Sequence, residues 1–286
     1  MSTLLQIECI VPDGLVNDVN FYLTIRAPQG WQEKLLHDEE AVLFTIYFED
    51  ADMALTCLKG LSERWSELRI KRESIEAQDW GAAWREFFTP VEAADFVVLP
   101  PWRRQEASDK HIPIVIEPKT AFGTGHHSTT ALCLEAISDL VEEGTIARDA
   151  RFFDLGTGSG VLGIGACKLG LTGLGSDIDP VAIENAIENA EHNNVAEAFT
   201  LKTGSVEAAD GAAFDLVIAN ILANPLKELS EHIVNSVKTG GSLILSGLLK
   251  EQLDGVASVY VNLGLAEPER RTKNEWGALV WRKIAR

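Results

Sequence analysis

The feature that most constrains the fold is the alternation of short apolar segments with helical segments after residue 110. Strands are predicted over residues 151–154, 173–176, 214–219 and 242–246, and helices over 160–169, 180–193 and 225–237. This alternation predicts an α/β fold with a doubly wound, mostly parallel, Rossmann-like sheet that carries helices on both faces. Ligands of such sheets bind beyond the carboxyl ends of the strands, so the loops at that edge form the candidate site.

The first 76 residues follow a different pattern. Strands are predicted over 4–11, 41–48 and 68–72, with a further strand near Trp31, and helices over 14–26 and from about residue 52 to residue 64. This order predicts a small α+β sandwich of the ferredoxin-like, split βαβ kind. The segment contains no catalytic constellation, so we expect it to bind or position a partner.

A short aromatic segment separates the two patterns. Trp80, Trp84, Phe87 and Phe88 would share one face of a helix, so this segment is predicted to pack as well as to link, with stacking on a ligand as the alternative. The predicted domains are therefore an N-terminal substrate-recognition domain at 1–76, a linker helix at 77–92 and a catalytic domain at 93–286.

Composition excludes several classes of function. The 25 Lys and Arg against 43 Asp and Glu give a net charge of −18, which opposes direct nucleic-acid binding and favours a basic partner. No apolar run approaches the roughly 20 residues of a membrane helix, and the N-terminus does not resemble a secretory signal. We therefore expect a cytoplasmic protein that does not enter membranes, and we expect it to be monomeric.

The cysteines and histidines do not predict a metal site. The four cysteines are widely spaced and form no C-x-x-C pair, so we expect four reduced thiols and no structural zinc. His126 and His127 are adjacent, but no third ligand follows at a suitable spacing. Whether either imidazole faces a ligand stays open at this point.

The first candidate loop is rich in glycine. The segment Phe-Phe-Asp-Leu-Gly-Thr-Gly-Ser-Gly at 152–160 runs from a predicted strand through Gly156, Gly158 and Gly160 into a predicted helix. Glycines there let the backbone approach a ligand closely. Because residues 158–163 also match G-x-G-x-x-G, a nicotinamide or flavin dinucleotide is one possible ligand.

Acidic residues follow the next predicted strand. Asp177 lies 21 residues after Gly156, where a carboxylate can accept hydrogen bonds from both ribose hydroxyls. This placement indicates an adenosine ligand without distinguishing a dinucleotide from other adenosine cofactors. Asp179 precedes a proline at a predicted helix start, so we predict that it is an N-cap.

Three further features distinguish the possible ligands. Asp154 precedes the first glycine, where it would attract an ammonium group and repel a pyrophosphate. The segment 121–130, Ala-Phe-Gly-Thr-Gly-His-His-Ser-Thr-Thr, offers hydroxyls and backbone N–H groups at a helix start, which suit a carboxylate. Asn220 ends the strand at 214–219 and places a polar side chain at the mouth of the cleft. S-adenosylmethionine carries an ammonium, a carboxylate and an adenosine, so it satisfies all of these features.

At these positions the sequence resembles the ribosomal protein L11 methyltransferases of the PrmA type. The resemblance rests on the 121–130 loop, the 154–160 loop, Asp177, and Asn220-Ile221-Leu222-Ala223 followed by Pro225-Leu226. It extends back to Asp79-Trp80 and Pro100-Pro101-Trp102 and forward to Glu275-Trp276. Thr157 departs from it, because the family usually has cysteine there.

The resemblance implies a role for each matching residue. Thr130 and the backbone of Phe122, Gly123, Thr124 and Gly125 would hold the methionine end of S-adenosylmethionine. Gly156 and Gly158 would present the glycine loop to the ligand, and Asp177 would bind the ribose. Asn220 would contact the cofactor and border the catalytic site at which the acceptor amine enters.

The resemblance also implies the reaction and the partner. The enzyme would transfer methyl groups to lysine side chains and the N-terminal amine of ribosomal protein L11, with the linker reorienting the two domains between sites. The cofactor supplies the leaving group, so we expect no single essential base. Three alternatives remain: a methyltransferase acting on another protein, a nicotinamide-dependent oxidoreductase, and a binding module that has kept the fold without catalysis.

Overall fold

The structure is a computed structural model that describes residues 3–27, 30–36, 41–48, 51–76, 89–108, 110–118 and 127–285. The chain divides into two compact units, residues 1–87 and 88–286. The predicted linker helix lies mostly outside the described residues, and Val91–Ala93 at its predicted end forms a strand. Within the described ranges, no helix combines the length and the apolar character needed to cross a membrane.

The first unit is an antiparallel sheet with two helices. Its elements are β1 (Thr3–Pro12), α1 (Val16–Arg26), β2 (Trp31–Leu36), β3 (Ala41–Phe48), α2 (Ala51–Arg64) and β4 (Arg69–Glu76). The strand order β2-β3-β1-β4 confirms the predicted ferredoxin-like sandwich. Alternate residues of β1, Ile7, Cys9 and Val11, are fully buried and belong to one core with residues of both helices.

The second unit begins with a small sheet that the sequence analysis did not predict. It consists of β5 (Val91–Ala93), β6 (Phe96–Leu99) and β7 (Ile112–Val115), with β6 in the centre. A 3₁₀ helix at Pro101–Glu106 joins β6 to β7. Strand β6 pairs antiparallel with β5 and parallel with β7, so one side of β7 is left without a strand partner in this sheet.

A seven-stranded sheet forms the centre of the second unit. Its strands are β8 (Arg151–Leu155), β9 (Thr172–Asp177), β10 (Phe199–Thr203), β11 (Phe214–Asn220), β12 (Val237–Leu249), β13 (Glu269–Lys273) and β14 (Trp276–Trp281). The order is β10-β9-β8-β11-β12-β14-β13, with the first five strands parallel. This arrangement confirms the predicted α/β, doubly wound sheet. The direction of winding reverses between β8 and β11, and ligands of such sheets bind beyond the strand ends at this switch point.

The helices of this unit pack on both faces of the sheet. They are α3 (Ser128–Glu142), α4 (Val161–Lys168), α5 (Pro180–His192), α6 (Ala223–Glu228), α7 (Ser230–Asn235) and α8 (Leu253–Asn262). Two apolar cores result, one on each side of the sheet. Phe152 and Phe153, adjacent on β8, belong to different cores because successive strand residues point to opposite faces.

The sequence predicted one helix over residues 225–237, whereas the structure has two short helices, α6 and α7, in this region. The backbone of Leu229 has φ −91° and ψ 4°, and this departure from helical geometry separates α6 from α7. Ser236 ends α7 and donates its hydroxyl hydrogen to the His232 carbonyl at 2.9 Å. Val237 already belongs to β12, which is longer than the predicted 242–246 strand.

The four cysteines are buried free thiols, as predicted. Cys9 and Cys57 lie in the core of the first unit, and Cys133 and Cys167 lie in one core of the second. Burial raises the pKa of each thiol, to about 11 for Cys57 and about 12 for the other three. These thiols are therefore protonated at neutral pH and poor nucleophiles.

Candidate functional site

Three strand ends meet at the switch point of the central sheet. In the parallel register, Leu155 of β8 lies beside Ser176 of β9 on one side and beside Ala219 of β11 on the other. The residues that follow those strands therefore lie at one edge, and they include the glycine loop, Asp177 and Asn220. The sheet brings together the residues that the sequence analysis had assigned to different loops.

The glycine loop turns tightly over the end of β9. The backbone N–H groups of Gly156 and Thr157 both donate to the Ser176 carbonyl, at 2.8 and 2.9 Å. Gly156, Gly158 and Gly160 have φ angles of 72°, 54° and 83°, in the left-handed region that favours glycine. The three glycines are therefore required by the backbone path as well as by access for a ligand.

A second close approach fixes this loop against the Asn220 loop. A Cβ atom on Gly156 would lie 2.3 Å from Cγ2 of Ile221, and one on Gly247 of β12 would lie 2.3 Å from the Ile221 carbonyl oxygen. Ile221 thus lies between a glycine of the glycine loop and a glycine of β12. Sequence reasoning quoted Ile221 only as part of a motif and did not identify Gly247, which directly follows the predicted 242–246 strand.

We expect Gly156→Ala to destabilise the protein more than Gly144→Ala. Gly144 has a φ of 68°, close to that of Gly156, but a Cβ there would meet no atom within 4 Å. Both substitutions place alanine in left-handed backbone, while only the first also forces a side chain against Ile221. Overpacking of this kind costs about 1–3 kcal/mol. Urea denaturation of both variants measures the difference, and equal losses would contradict the proposed contact.

Asp154 lies beneath the glycine loop. Its side chain is 1% exposed, and Oδ2 accepts hydrogen bonds from the Thr157 hydroxyl at 2.6 Å and the Gly163 N–H at 3.1 Å. Oδ1 is buried and accepts no hydrogen bond from the part of the chain that the structure describes. Thr157, which replaces the cysteine usual in the resembling family, thus helps to hold the carboxylate that shapes the loop.

Burial also changes the protonation of Asp154. Loss of solvation raises the pKa of its carboxyl to about 6, although the hydrogen bonds from Thr157 and Gly163 act in the opposite direction. The native protein therefore binds this proton more tightly than the unfolded chain, in which an aspartate has a pKa of about 3.9. Deprotonation of Asp154 consequently lowers the free energy of unfolding as pH rises from about 4 to about 6.

We expect Asp154→Asn to remove this loss, because an amide oxygen can keep both hydrogen bonds and carries no titrating proton. Unfolding free energies of wild type and variant, measured in urea from pH 4 to pH 7, should diverge in favour of the variant up to about pH 6 and run parallel above it. Asp149→Asn, at an exposed position, serves as the control for a change of charge alone. Unfolding free energies of wild type and variant that stayed parallel from pH 4 to pH 7 would contradict the raised pKa of Asp154.

Asp177 connects the glycine loop to the start of α5. Its Oδ2 accepts from the Gly158 N–H at 2.9 Å and its Oδ1 from the Asp179 N–H at 3.0 Å. Each oxygen retains acceptor capacity for a further donor. Asp179 caps α5 by accepting from the Val181 N–H at 2.9 Å, as the sequence predicted.

Two further polar atoms of the predicted site have no hydrogen-bond partner among the described residues. Oδ1 of Asn220 and Oγ1 of Thr130 are buried, and neither forms a hydrogen bond with any residue that the structure describes. Buried polar atoms in native proteins are nearly always paired. Oδ1 of Asp154 and Oδ1 of Asn220 can accept hydrogen bonds, and the Thr130 hydroxyl can donate or accept, so all three retain hydrogen-bonding capacity that fits the polar groups of S-adenosylmethionine.

Part of the predicted site lies outside the described residues. This applies to Phe122, Gly123, Thr124, Gly125 and His126, and to Trp80 and Trp84 of the predicted linker. The description resumes at His127, which is the N-cap of α3. Its Nδ1 accepts from the Thr129 N–H at 3.4 Å and lies 2.7 Å from the Thr129 hydroxyl oxygen.

His127 also contacts the C-terminal hairpin. Its ring meets the Trp276 ring edge to face, with centroids 4.4 Å apart, and Asn274 Nδ2 donates to the Ser128 hydroxyl at 3.1 Å. The structure therefore assigns His127 a capping and packing role that the sequence did not reveal, since histidine is not a typical N-cap residue. Among the described residues, no group of three His, Cys, Asp or Glu side chains is arranged to hold a metal ion.

Comparison with known sequences shows one consistent similarity. A family model described as ribosomal protein L11 methyltransferase (PrmA) matches residues 20–284. The ribosomal protein L11 methyltransferase of Pelobacter propionicus is 33% identical over 99% of this chain and 98% of its own length. That of Thermus thermophilus is 40% identical over 73% of this chain and 79% of its own length.

A solved structure shows the same similarity. The crystal structure of a ribosomal protein L11 methylase from Lactobacillus delbrueckii subsp. bulgaricus superposes with a TM-score of 0.61 at 28% sequence identity. The match covers 68% of this chain and the whole of that chain. It supports the α/β assignment made from the strand order.

Proposed function

Because the chain belongs to the ribosomal protein L11 methyltransferase family, we propose that it transfers methyl groups from S-adenosylmethionine to amines of ribosomal protein L11. The acceptors are lysine side chains and the N-terminal amine. We further propose that the enzyme acts in the cytoplasm as a monomer without binding nucleic acid directly, that residues 1–76 recognise the substrate, and that residues 77–92 are a linker helix.

The observation that supports this proposal is the set of polar side chains at the switch point and at the start of α3. Asp177 has acceptor capacity left on both oxygens, and Asn220 and Thr130 present buried polar atoms that no described residue satisfies. Asp177 would bind the ribose hydroxyls, and Thr130 would hold the methionine end together with the 122–125 backbone. Gly156 and Gly158 would offer the glycine loop to the ligand.

S-adenosylmethionine supplies an electrophilic methyl group together with its sulfur leaving group, so the chain contributes mainly binding, orientation and exclusion of water. Oδ1 of Asn220 can accept a hydrogen bond from an incoming amine and orient its nitrogen. A lysine of ordinary pKa, about 10.4, must lose a proton at a cost of about 4.6 kcal/mol at pH 7. A partly apolar site lowers that pKa, which removes the need for a dedicated base.

The charge of the protein supports a basic partner. The net charge of −18 creates a long-range attraction for a basic protein and opposes the approach of phosphate backbones. This attraction would accelerate encounter with the substrate rather than select the methylated site. Site selection would come from the mouth of the cleft.

The proposal is tested by incubating the enzyme with methyl-labelled S-adenosylmethionine and purified ribosomal protein L11. Intact mass and peptide mapping then locate the label. We expect methyl groups on lysine side chains and on the N-terminal amine. Labelling of other proteins in an extract but not of ribosomal protein L11 would instead support a methyltransferase with a different protein substrate.

Leu222 is predicted to contact the substrate. Its side chain is 72% exposed two residues after Asn220, at the start of α6. We expect Leu222→Ala to raise KM for ribosomal protein L11 about fivefold, because it removes apolar surface that would pack against the lysine methylenes. The affinity for S-adenosylmethionine should not change. Leu263→Ala, at another exposed leucine, is the control, and an equal effect of both substitutions on KM would contradict the contact.

A further inference from the structure

Three buried asparagines lie along one face of α5 and its C-cap. Asn185, Asn189 and Asn193 are spaced four residues apart, which places them on the same side of the helix. Their exposed fractions are 2%, 0% and 2%. We call these three residues the asparagine ladder. A row of buried amides within an apolar interior requires an explanation, because burying a polar group is unfavourable unless it is hydrogen-bonded.

Asn193 of the ladder pairs with the side of β7 that has no strand neighbour in its sheet. Asn193 Oδ1 accepts from the Val115 N–H at 2.9 Å, and Asn193 Nδ2 donates to the Val115 carbonyl at 2.6 Å. Asn193 Nδ2 also donates to the Asn189 carbonyl at 2.8 Å. The side-chain amide thus substitutes for one residue of a neighbouring strand.

Asn189 makes a different connection, because it joins two separate loops. Its Oδ1 accepts from the Glu117 N–H at 2.9 Å, and its Nδ2 donates to the Ser159 carbonyl at 2.9 Å. Nδ2 also lies 3.3 Å from Asn185 Oδ1. A backbone N–H can only donate and a carbonyl can only accept, so the orientation of this amide is fixed. Both hydrogens of Asn189 Nδ2 and its oxygen Oδ1 are therefore used in hydrogen bonds.

The two backbone groups held by Asn189 lie close in sequence to residues of the proposed cofactor site. Ser159 lies in the glycine loop between Gly158 and Gly160. Glu117 lies two residues before segment 119–126, which contains the residues proposed to hold the methionine end. We propose that Asn189 is a positioning residue for methyl transfer, because its one side chain holds the glycine loop at Ser159 and the backbone that follows β7 at Glu117. This inference rests on the proposed function of the site.

The alternative is that the ladder only stabilises the core. The two roles differ in their consequences, since a stabilising residue affects folding and a positioning residue also affects ligand affinity. A leucine at position 189 would occupy a similar volume but would leave the Glu117 N–H and the Ser159 carbonyl without this partner. The one side chain that joins these two backbone groups would then be lost.

We expect Asn189→Leu to raise the Kd for S-adenosylhomocysteine at least tenfold and to raise KM for S-adenosylmethionine more than it lowers kcat. Hydrogen exchange of the Glu117 amide should accelerate. The matched control is Trp281→Phe, which removes the hydrogen bond of another buried side chain, from Trp281 Nε1 to the Ala266 carbonyl at 2.7 Å. The control should lower Tm without changing Kd or exchange at Glu117.

Asn189→Asp provides a second variant if the leucine variant does not fold. It keeps the acceptor for Glu117 and loses the donor to Ser159, so exchange at Glu117 should stay slow while the Kd rises. An unchanged Kd and unchanged KM in variants that have lost stability would overturn the positioning role. If the wild-type protein bound no S-adenosylhomocysteine, the proposed function would fail separately, and exchange at Glu117 would still test whether Asn189 holds the two loops.

Discussion

Asp177→Ala should weaken binding of S-adenosylmethionine at least about 100-fold. The carboxylate would accept hydrogen bonds from the ribose, and hydrogen bonds to a charged group contribute about 1.5–3 kcal/mol each. Two such bonds correspond to at least a factor of 100 in Kd. The substitution also removes the acceptor of the Gly158 N–H, which loosens the glycine loop. Isothermal titration calorimetry measures the change in Kd.

Asp179→Ala is the matched control for this prediction. Asp179 lies two residues further along the same loop, and its carboxylate caps α5 instead of facing the proposed ligand. We expect a loss of about 1 kcal/mol in the free energy of unfolding, typical of a lost N-cap, with little change in Kd. Equal weakening of binding by both substitutions would show that the effect arises from disruption of the loop rather than from the ribose contact.

Asn220→Ala should lower kcat by about 100-fold, because a misplaced acceptor amine loses the alignment that methyl transfer requires. Oδ1 of Asn220 is buried and unpaired with any described residue, so its removal leaves no protein donor unsatisfied. The unfolding free energy should therefore change little. Steady-state kinetics with saturating ribosomal protein L11 measure kcat directly.

The neighbouring Asn224 provides the control for that substitution. It lies in α6, four residues after Asn220, and its side chain is exposed. Asn224→Ala should leave both kcat and the affinity for S-adenosylmethionine unchanged. If Asn220→Ala retained wild-type turnover and cofactor affinity, the role assigned to this strand end would be wrong.

Four of the seven strands of the central sheet, β8, β9, β11 and β12, could be predicted because their signals are local, whereas β10, β13 and β14 were not predicted. Residues 151–154, 173–176 and 214–219 are short apolar segments, and each corresponds to a strand in the structure. The small sheet of β5, β6 and β7 was missed because its strands have only three or four residues. The break between α6 and α7 at Leu229 was missed because a single residue with a ψ of 4° does not change the spacing of the apolar residues.

The site was predictable to the extent that it depends on residues at strand ends. Asp177 and Asn220 were identified because each directly ends a predicted strand, and parallel strands bring such residues to one edge. The contact of Ile221 with Gly156 and Gly247 joins three distant parts of the sequence, and no local pattern indicates it. The same reason explains why the link from Asn189 to Glu117 and Ser159 was not foreseen.

The glycine pattern alone is compatible with a dinucleotide, so the identity of the ligand is the central claim. The direct test is a calorimetric titration of the purified protein with S-adenosylhomocysteine and, separately, with NAD. We predict saturable binding of S-adenosylhomocysteine with one site per chain, competition by S-adenosylmethionine, and no heat of binding with NAD. Saturable binding of NAD without binding of either sulfur ligand would contradict the account.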